Sequence, residues 1–226
     1  RTVMAFRRAV AEAGAEIVEG ISVLALGHAT GGGIAVTTDR GVLEADRVAN
    51  CAGAWASGLA AGIGESIPTV AKASMMIVTE RLPRFCEPTV GSAARALSFK
   101  QSDAGTVVIG GGHQGSNDIA AETATVNFAN LAKAARIAAE LFPCVSSARI
   151  VRSWCGIEAR TPDEIPVIGE SRTLPGVVHS FGYSGHGFQL SPAAGAAVAE
   201  LIARGATNMP VAPFGPARFL EAKEAA

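Results

Sequence analysis

Paired cysteines are missing from this sequence. Cys51, Cys86, Cys144 and Cys155 are scattered, with no CxxC among them. That excludes a disulfide framework or a cysteine zinc site and predicts reduced thiols in a cytoplasmic setting. The four histidines, His28, His113, His179 and His186, are as dispersed, and no metal site is expected. Excess charge is lacking as well: 19 Lys and Arg against 20 Asp and Glu leave a net −1. Such a chain has no electrostatic footprint for nucleic acid or an anionic membrane. No apolar run reaches the roughly 18 residues that span a bilayer. The opening TVMAFRRAVAEAGAEI is helical and charged, unlike a secretory leader. Internal repeats and low-complexity segments do not occur.

What remains is a globular chain. With 226 residues, 49% hydrophobic and 17% charged, it can build one large domain or two small ones around a real core. Val3, Phe6, Val10 and Ala13 recur at helical spacing and Gly14 stops that helix. GAEIVEGISVLALGHA, IAVTTD and VLEADRVANCAG read as strands joined by tight turns. KASMMIVTERL, TVVIGGG and ARIVRSWCGIEA read as further strands, and TVNFANLAKAARIAAELFP as an amphipathic helix ended by Pro143. PGVVHSFGYSG is a last strand. It leads into a helix that Ser191 is expected to cap, with Pro192 in its first position and Gly205 at its end.

Between that strand and that helix lies GYSGHGFQLSPAAG, residues 182–195, with four glycines around a histidine. A surface turn needs one or two. Bare backbone next to a helix amino terminus predicts a bulky ligand resting against it. Gly110 to Gly115, GGGHQG, also matches GxGxxG after a strand. The fingerprint should open a helix directly, and here SNDIAAETAT intervenes. A strand end and loop is the expectation there.

Three stretches in order then carry a resemblance: GAEIVEGISVLAL through ADRVANCAGAWASGLA, RSWCGIEARTPDEIPVIG, and PGVVHSFGYSGHGFQLSPAAGAAVAELI. Together they resemble the D-amino-acid-oxidase-like family of FAD-dependent oxidoreductases, whose members act on amino acids, secondary amines and opines. The resemblance implies an α/β fold in two parts. Residues 1–67 and 152–226 would form a partial, Rossmann-like FAD-binding domain. Residues 68–151 would form a substrate domain on a mixed, largely antiparallel sheet. The family's N-terminal strand, GxGxxG loop and helix have no counterpart here, so the chain is expected to be the C-terminal portion of a member.

The implied cofactor is FAD. Gly182, Tyr183, Ser184, Gly185, His186, Gly187, Phe188 and Gln189 would line the flavin's pyrimidine side, with bare backbone at Gly182, Gly185 and Gly187 facing the ring. Cys51, Ala52 and Gly53 would lie near the ribityl and pyrophosphate portion, and Val23 near the adenine. His186 would donate a hydrogen bond or positive charge. Glu158 stands where family members often carry a carboxylate-gripping arginine. It would attract a cationic amine, or hold an arginine such as Arg152 or Arg160. Tyr183 would face either ring or substrate.

The implied reaction removes hydride from the carbon next to an amine. Gln189 replaces a lysine found in some members, which favours a dehydrogenase with an unknown electron acceptor over an oxidase. The implied partners are a small amine or amino acid and, in addition, a second subunit or a homo-oligomer. Two other readings stand beside this: a non-catalytic subunit whose partner supplies the nucleotide site, and a flavin enzyme acting on a hydroxy acid.

Overall fold

The structure, a computed structural model, describes residues 2–219. Helix α1 (Thr2–Glu12) closes as its spacing predicts. Gly14 sits at φ 81°, and the N–H groups of Gly14 and Ala15 donate to the carbonyls of Ala11 and Val10, the paired bonds of a left-handed helix end. None of its residues is buried: Val3 and Phe6 are 76% and 59% exposed.

Strands β1 (Val23–His28), β2 (Ile34–Thr38) and β3 (Gly41–Ala45) form an antiparallel sheet in that order. Alternation in IAVTT puts Ile34 and Thr38 inside. β4 (Val48–Asn50) then delivers Cys51 and Ala52 to a 3-10 turn, Gly53–Trp55, and to helix α2 (Ala56–Gly62).

β5 (Val70–Arg81) buries Ala73, Met75, Ile77 and Thr79 on one face. β6 (Val90–Gly91), β7 (Ser98–Gln101) and β8 (Thr106–Gly110) follow, then a two-stranded ribbon of β9 (Ser116–Asp118) and β10 (Thr123–Thr125). Helix α3 (Phe128–Leu141) is capped by Asn127, whose Oδ1 accepts from the Asn130 N–H at 3.0 Å. Its Leu131, Ala134 and Ala138 pack on Met75, Ile77, Phe99, Val107 and Ile109.

β11 (Ile150–Arg160) runs on across residues 151/152, with a shift of register between Ile150 and Arg152, and pairs with β5 through to Arg160↔Val70. The resulting sheet has the order β11-β5-β8-β7-β6, with every neighbour antiparallel. The GxGxxG match lies in this sheet. Gly110 ends β8, and Gly115 leads to a strand rather than a helix. A Cβ on Gly111 would stand 2.5 Å from the Leu97 Cα, and one on Gly115 2.2 Å from the Thr125 carbonyl oxygen. These glycines serve close crossing of chains.

β12 (Val167–Glu170) and β13 (Val177–Phe181) complete a third sheet, β12-β13-β4, in which β13 runs parallel to β4. Helix α4 (Gly187–Arg204) ends at Gly205, φ 72°, as expected. Its start is a correction: it begins at Gly187, before the expected Ser191 cap, and Pro192 lies inside it. Pro192 has no N–H for the Phe188 carbonyl. The Ser191 hydroxyl donates to that carbonyl instead, at 2.9 Å, so the helix continues through the proline. Among the described residues no helix is long and apolar enough to cross a membrane.

The TPD turn is tied down twice. Asp163 Oδ1 accepts from the Ile165 N–H at 3.1 Å, and Arg218 Nε donates to Asp163 Oδ2 at 2.8 Å. Arg218 also donates to the carbonyls of Phe214, Gly215 and Ile165. Burial raises the Asp163 carboxyl, but the Arg218 and backbone bonds outweigh it and hold it below its ordinary 3.8. The stability this lends is present above pH 3.8 and is lost as pH falls through the lower folded value. Arg218→Ala is expected to cost about 1.5–3 kcal/mol by urea denaturation at pH 7, with the gap to wild type narrowing in acid.

Candidate active site

β13 is buried along its whole length, so its carboxyl end fixes where the glycine-rich stretch emerges. Gly182, Ser184 and Gly185 all take left-handed φ values of 72°, 52° and 88°. The chain therefore folds back within a few residues and enters α4 at His186. This hairpin of backbone, the start of α4, the Cys51–Trp55 turn and the Ile157–Ala159 segment of β11 enclose a cavity of about 570 Å³. That volume suits a small-molecule or cofactor site. Gly187 and Phe188 line it, so the unpaired N–H groups and partial positive charge of the α4 terminus face it.

The glycines divide by role. A Cβ on Gly182 would stand 2.7 Å from Thr161 Cγ2, and one on Gly187 3.3 Å from Tyr183 Cβ. Both leave room for the chain's own side chains. Open backbone is found at Gly185, where nothing stands nearer than 3.8 Å, and at Gly53 and Gly195, with nothing within 4 Å. Gly182→Ala is expected to destabilise by about 1–3 kcal/mol, from left-handed strain together with the Thr161 clash. Thermal denaturation checks it, and Thr161→Ser in the same chain should recover part of the loss.

Of the predicted site residues, Cys51, Gly53, Glu158, Gly182, Tyr183, Ser184, Gly185, Gly187 and Phe188 line this cavity. His186 and Gln189 are exposed and do not, and His186 precedes the helix without a side-chain cap bond. Val23 and Ala52 line a neighbouring cavity of about 290 Å³, to which Cys51 also contributes. Apolar walls push the Cys51 thiol up although the cavity leaves it accessible, and a Ser180 hydrogen bond pulls the other way. The Tyr183 hydroxyl meets Ser180 Oγ at 2.7 Å. Burial raises Tyr183, Ser180 lowers it and Cys51 raises it further.

Ser180, Trp55, Ser191, Ala194 and Gly195 also line the cavity and were not singled out from sequence. A signal was available for part of this set. Gly187, Ser191 and Gly195 are four apart, a strip of small residues along one helix face. Nothing local marks Ser180.

Glu158 holds an arginine, and it is Arg160. Its Oε1 accepts from the Ser74 hydroxyl at 2.5 Å and from Arg160 Nε and Nη2 at 3.4 and 3.3 Å. Arg152 instead lies over the Trp154 ring, 5.3 Å from its centroid.

Beneath the Cys51–Gly53 turn runs a buried polar chain. Asn50 Nδ2 donates to the Ala56 carbonyl at 3.0 Å, and its Oδ1 accepts from the Ala52 N–H at 3.3 Å. With the amide so oriented, Nδ2 also donates to His179 Nδ1 at 3.2 Å, leaving Nε2–H to donate to Glu65 Oε2 at 2.9 Å. Ser171 Oγ and the Arg172 N–H complete the Glu65 carboxylate at 2.7 and 3.1 Å. Among the described residues no cluster of His, Cys, Asp or Glu could hold a metal ion.

The cavity fits a flat, electron-accepting ring: an open backbone floor, a helix amino terminus, apolar walls and little charge. The chain is 28% identical over 216 residues to the sarcosine oxidase subunit beta of Rhodobacter capsulatus, covering 96% of this chain and 51% of that one. The crystal structure of L-proline dehydrogenase from P. horikoshii superposes with a TM-score of 0.88 at 29% identity, over 98% of this chain and 59% of the other. Glycine oxidase from Geobacillus kaustophilus gives 0.85 at 27%, over 94% and 56%. The chain thus spans about half the length of the curated relatives it matches. The FAD dependent oxidoreductase (DAO) family model matches residues 1–201, and the chain belongs to that family.

Proposed function

We propose that the protein, in its whole form, removes hydride from the carbon next to an amine nitrogen, giving an imine that water hydrolyses, and passes the electrons to an acceptor other than oxygen. The observation that carries this is the cavity at the α4 amino terminus, floored by Gly53, Gly185 and Gly195. FAD, when bound, supplies the hydride-accepting chemistry. The residues on the page do the rest. The α4 N–H groups offset negative charge at the cavity end. Ile157 and Phe181 give the cavity its apolar wall. Gly182 to Gln189 would hold the ring's pyrimidine side, with His186 and Gln189 acting through backbone. Cys51, Ala52, Gly53 and Val23 would follow the ligand into the second cavity, which Cys51 joins to the first. Glu158 is the candidate group facing substrate.

No lysine or arginine lines the main cavity among the described residues. That favours a dehydrogenase and disfavours a phosphate-bearing substrate. We also propose the division into a nucleotide part, 1–67 with 152–226, and a substrate part, 68–151. The apolar side chains that α1 leaves exposed, Val3, Met4 and Phe6 among them, support packing against further protein.

The test expresses the full-length protein and follows visible flavin absorbance. Bleaching by amines or amino acids without oxygen, and slow recolouring in air, is the expected result. A protein that stays colourless after incubation with FAD ends this reading.

A further inference from the structure

Resting on that reading, we infer that Glu158 Oε2 is the docking point for a cationic ammonium or guanidinium group of the substrate. Glu158 is the one charged side chain lining the cavity among the described residues. Its two oxygens are differently employed. Oε1 is taken up by Ser74 and Arg160. Oε2 accepts no hydrogen bond among the described residues, and the side chain is 27% exposed. It reaches the open floor beside the Arg160 guanidinium: a Cβ on Gly185 would stand 3.8 Å from Oε2 and 3.8 Å from Arg160 Nη2.

The surrounding charges do not cancel this. Arg160 lies 3.3–3.4 Å from Glu158 but is shared with Glu164 Oε1, which Nη1 meets at 3.4 Å, so two carboxylates flank this one guanidinium. Lys72, directly across the strand pair, makes no ion pair with Glu158 among the described residues and does not line the cavity. A carboxylate braced on one oxygen and free on the other is rigid and wants donors. It accepts strongly from a cation and repels an anion.

The experiment uses the full-length holoenzyme and reads perturbation of its visible flavin spectrum under titration with 1,4-diaminobutane and, separately, acetate. Wild type should bind diaminobutane at least 10-fold more tightly than acetate. Glu158→Gln, with flavin retained, should bind diaminobutane about 10- to 100-fold more weakly, the worth of one charged hydrogen bond. Glu164→Gln, which removes the exposed carboxylate on the other side of Arg160 but not the Oε2 contact, should stay within about 2-fold of wild type. Acetate binding as tightly as diaminobutane overturns the inference, and so does equal loss in both variants or none in Glu158→Gln. The two readings fail separately. Glu158-dependent diaminobutane binding to a flavin that no amine bleaches sinks the proposed reaction alone. Bleaching by amino acids that is indifferent to Glu158→Gln sinks this inference alone.

Discussion

Glu65→Ala is expected to cost about 3–5 kcal/mol of folding stability and to weaken retention of FAD in the full-length protein. Glu65 and His179 have no exposed side-chain surface, and Glu65 accepts from His179, Ser171 and the Arg172 N–H. Burial alone would raise its carboxyl, but these three donors outweigh that and hold it below its ordinary 4.5. Truncation removes the acceptor of the His179 Nε2–H and of the Arg172 N–H, which is where the large cost arises. The damage then reaches the site. His179 fixes the Asn50 amide, and Asn50 anchors both Ala52 and Ala56, on either side of the Gly53 turn. Glu65→Gln keeps the shape but turns one donor against another, so about 1–3 kcal/mol is expected. The sign of the pH effect is set by the lowered folded value: wild-type stability from this group is full above pH 4.5 and lost as pH falls through that lower value, while the Ala variant lacks it throughout. Urea midpoints of the three proteins decide the matter. An alanine variant within 1 kcal/mol of wild type refutes the network's role.

Phe99→Ala is expected to cost a similar 3–5 kcal/mol by a different route, through a cavity and lost transfer energy. Phe99 is fully buried in β7. Its ring stacks on Phe142 at 4.2 Å and 16°, and Phe85 packs tilted at 6.0 Å. Phe142 closes α3 onto the five-stranded sheet, so removing its stacking partner loosens that helix on the sheet's core cluster. Phe99→Leu, nearer in volume, should lose less than half as much. Because this cluster does not line the main cavity, the flavin spectrum of a still-folded variant should match wild type. A spectral shift as large as that of Glu65→Ala would show that the two cores are not separate.

Much of this molecule is written in short-range pattern. Alternating burial in KASMMIVT, the strand VVHSF between its turn residues, the stop at Gly14 and the close at Gly205 each follow from period and turn chemistry over a few residues. The helix after the glycine-rich stretch was legible, but its start was not. Ser191 and Pro192 carry a strong start signal, which lost to Ser191 satisfying the Phe188 carbonyl. The glycines told of bare backbone without telling which ones face the cavity, since that depends on where Thr161 and Tyr183 lie.

Element type, the sheet-forming faces and the family likeness came from residues close together in the chain, because hydrogen-bond period and backbone conformation are local properties. Packing alone decided the partners. Ser74 meets Glu158 across 84 positions and Glu65 meets His179 across 114. No spacing rule reaches that far: such pairs exist only once antiparallel register and the parallel β4–β13 crossover have brought distant strands side by side, and the worth of each contact depends on the water excluded there.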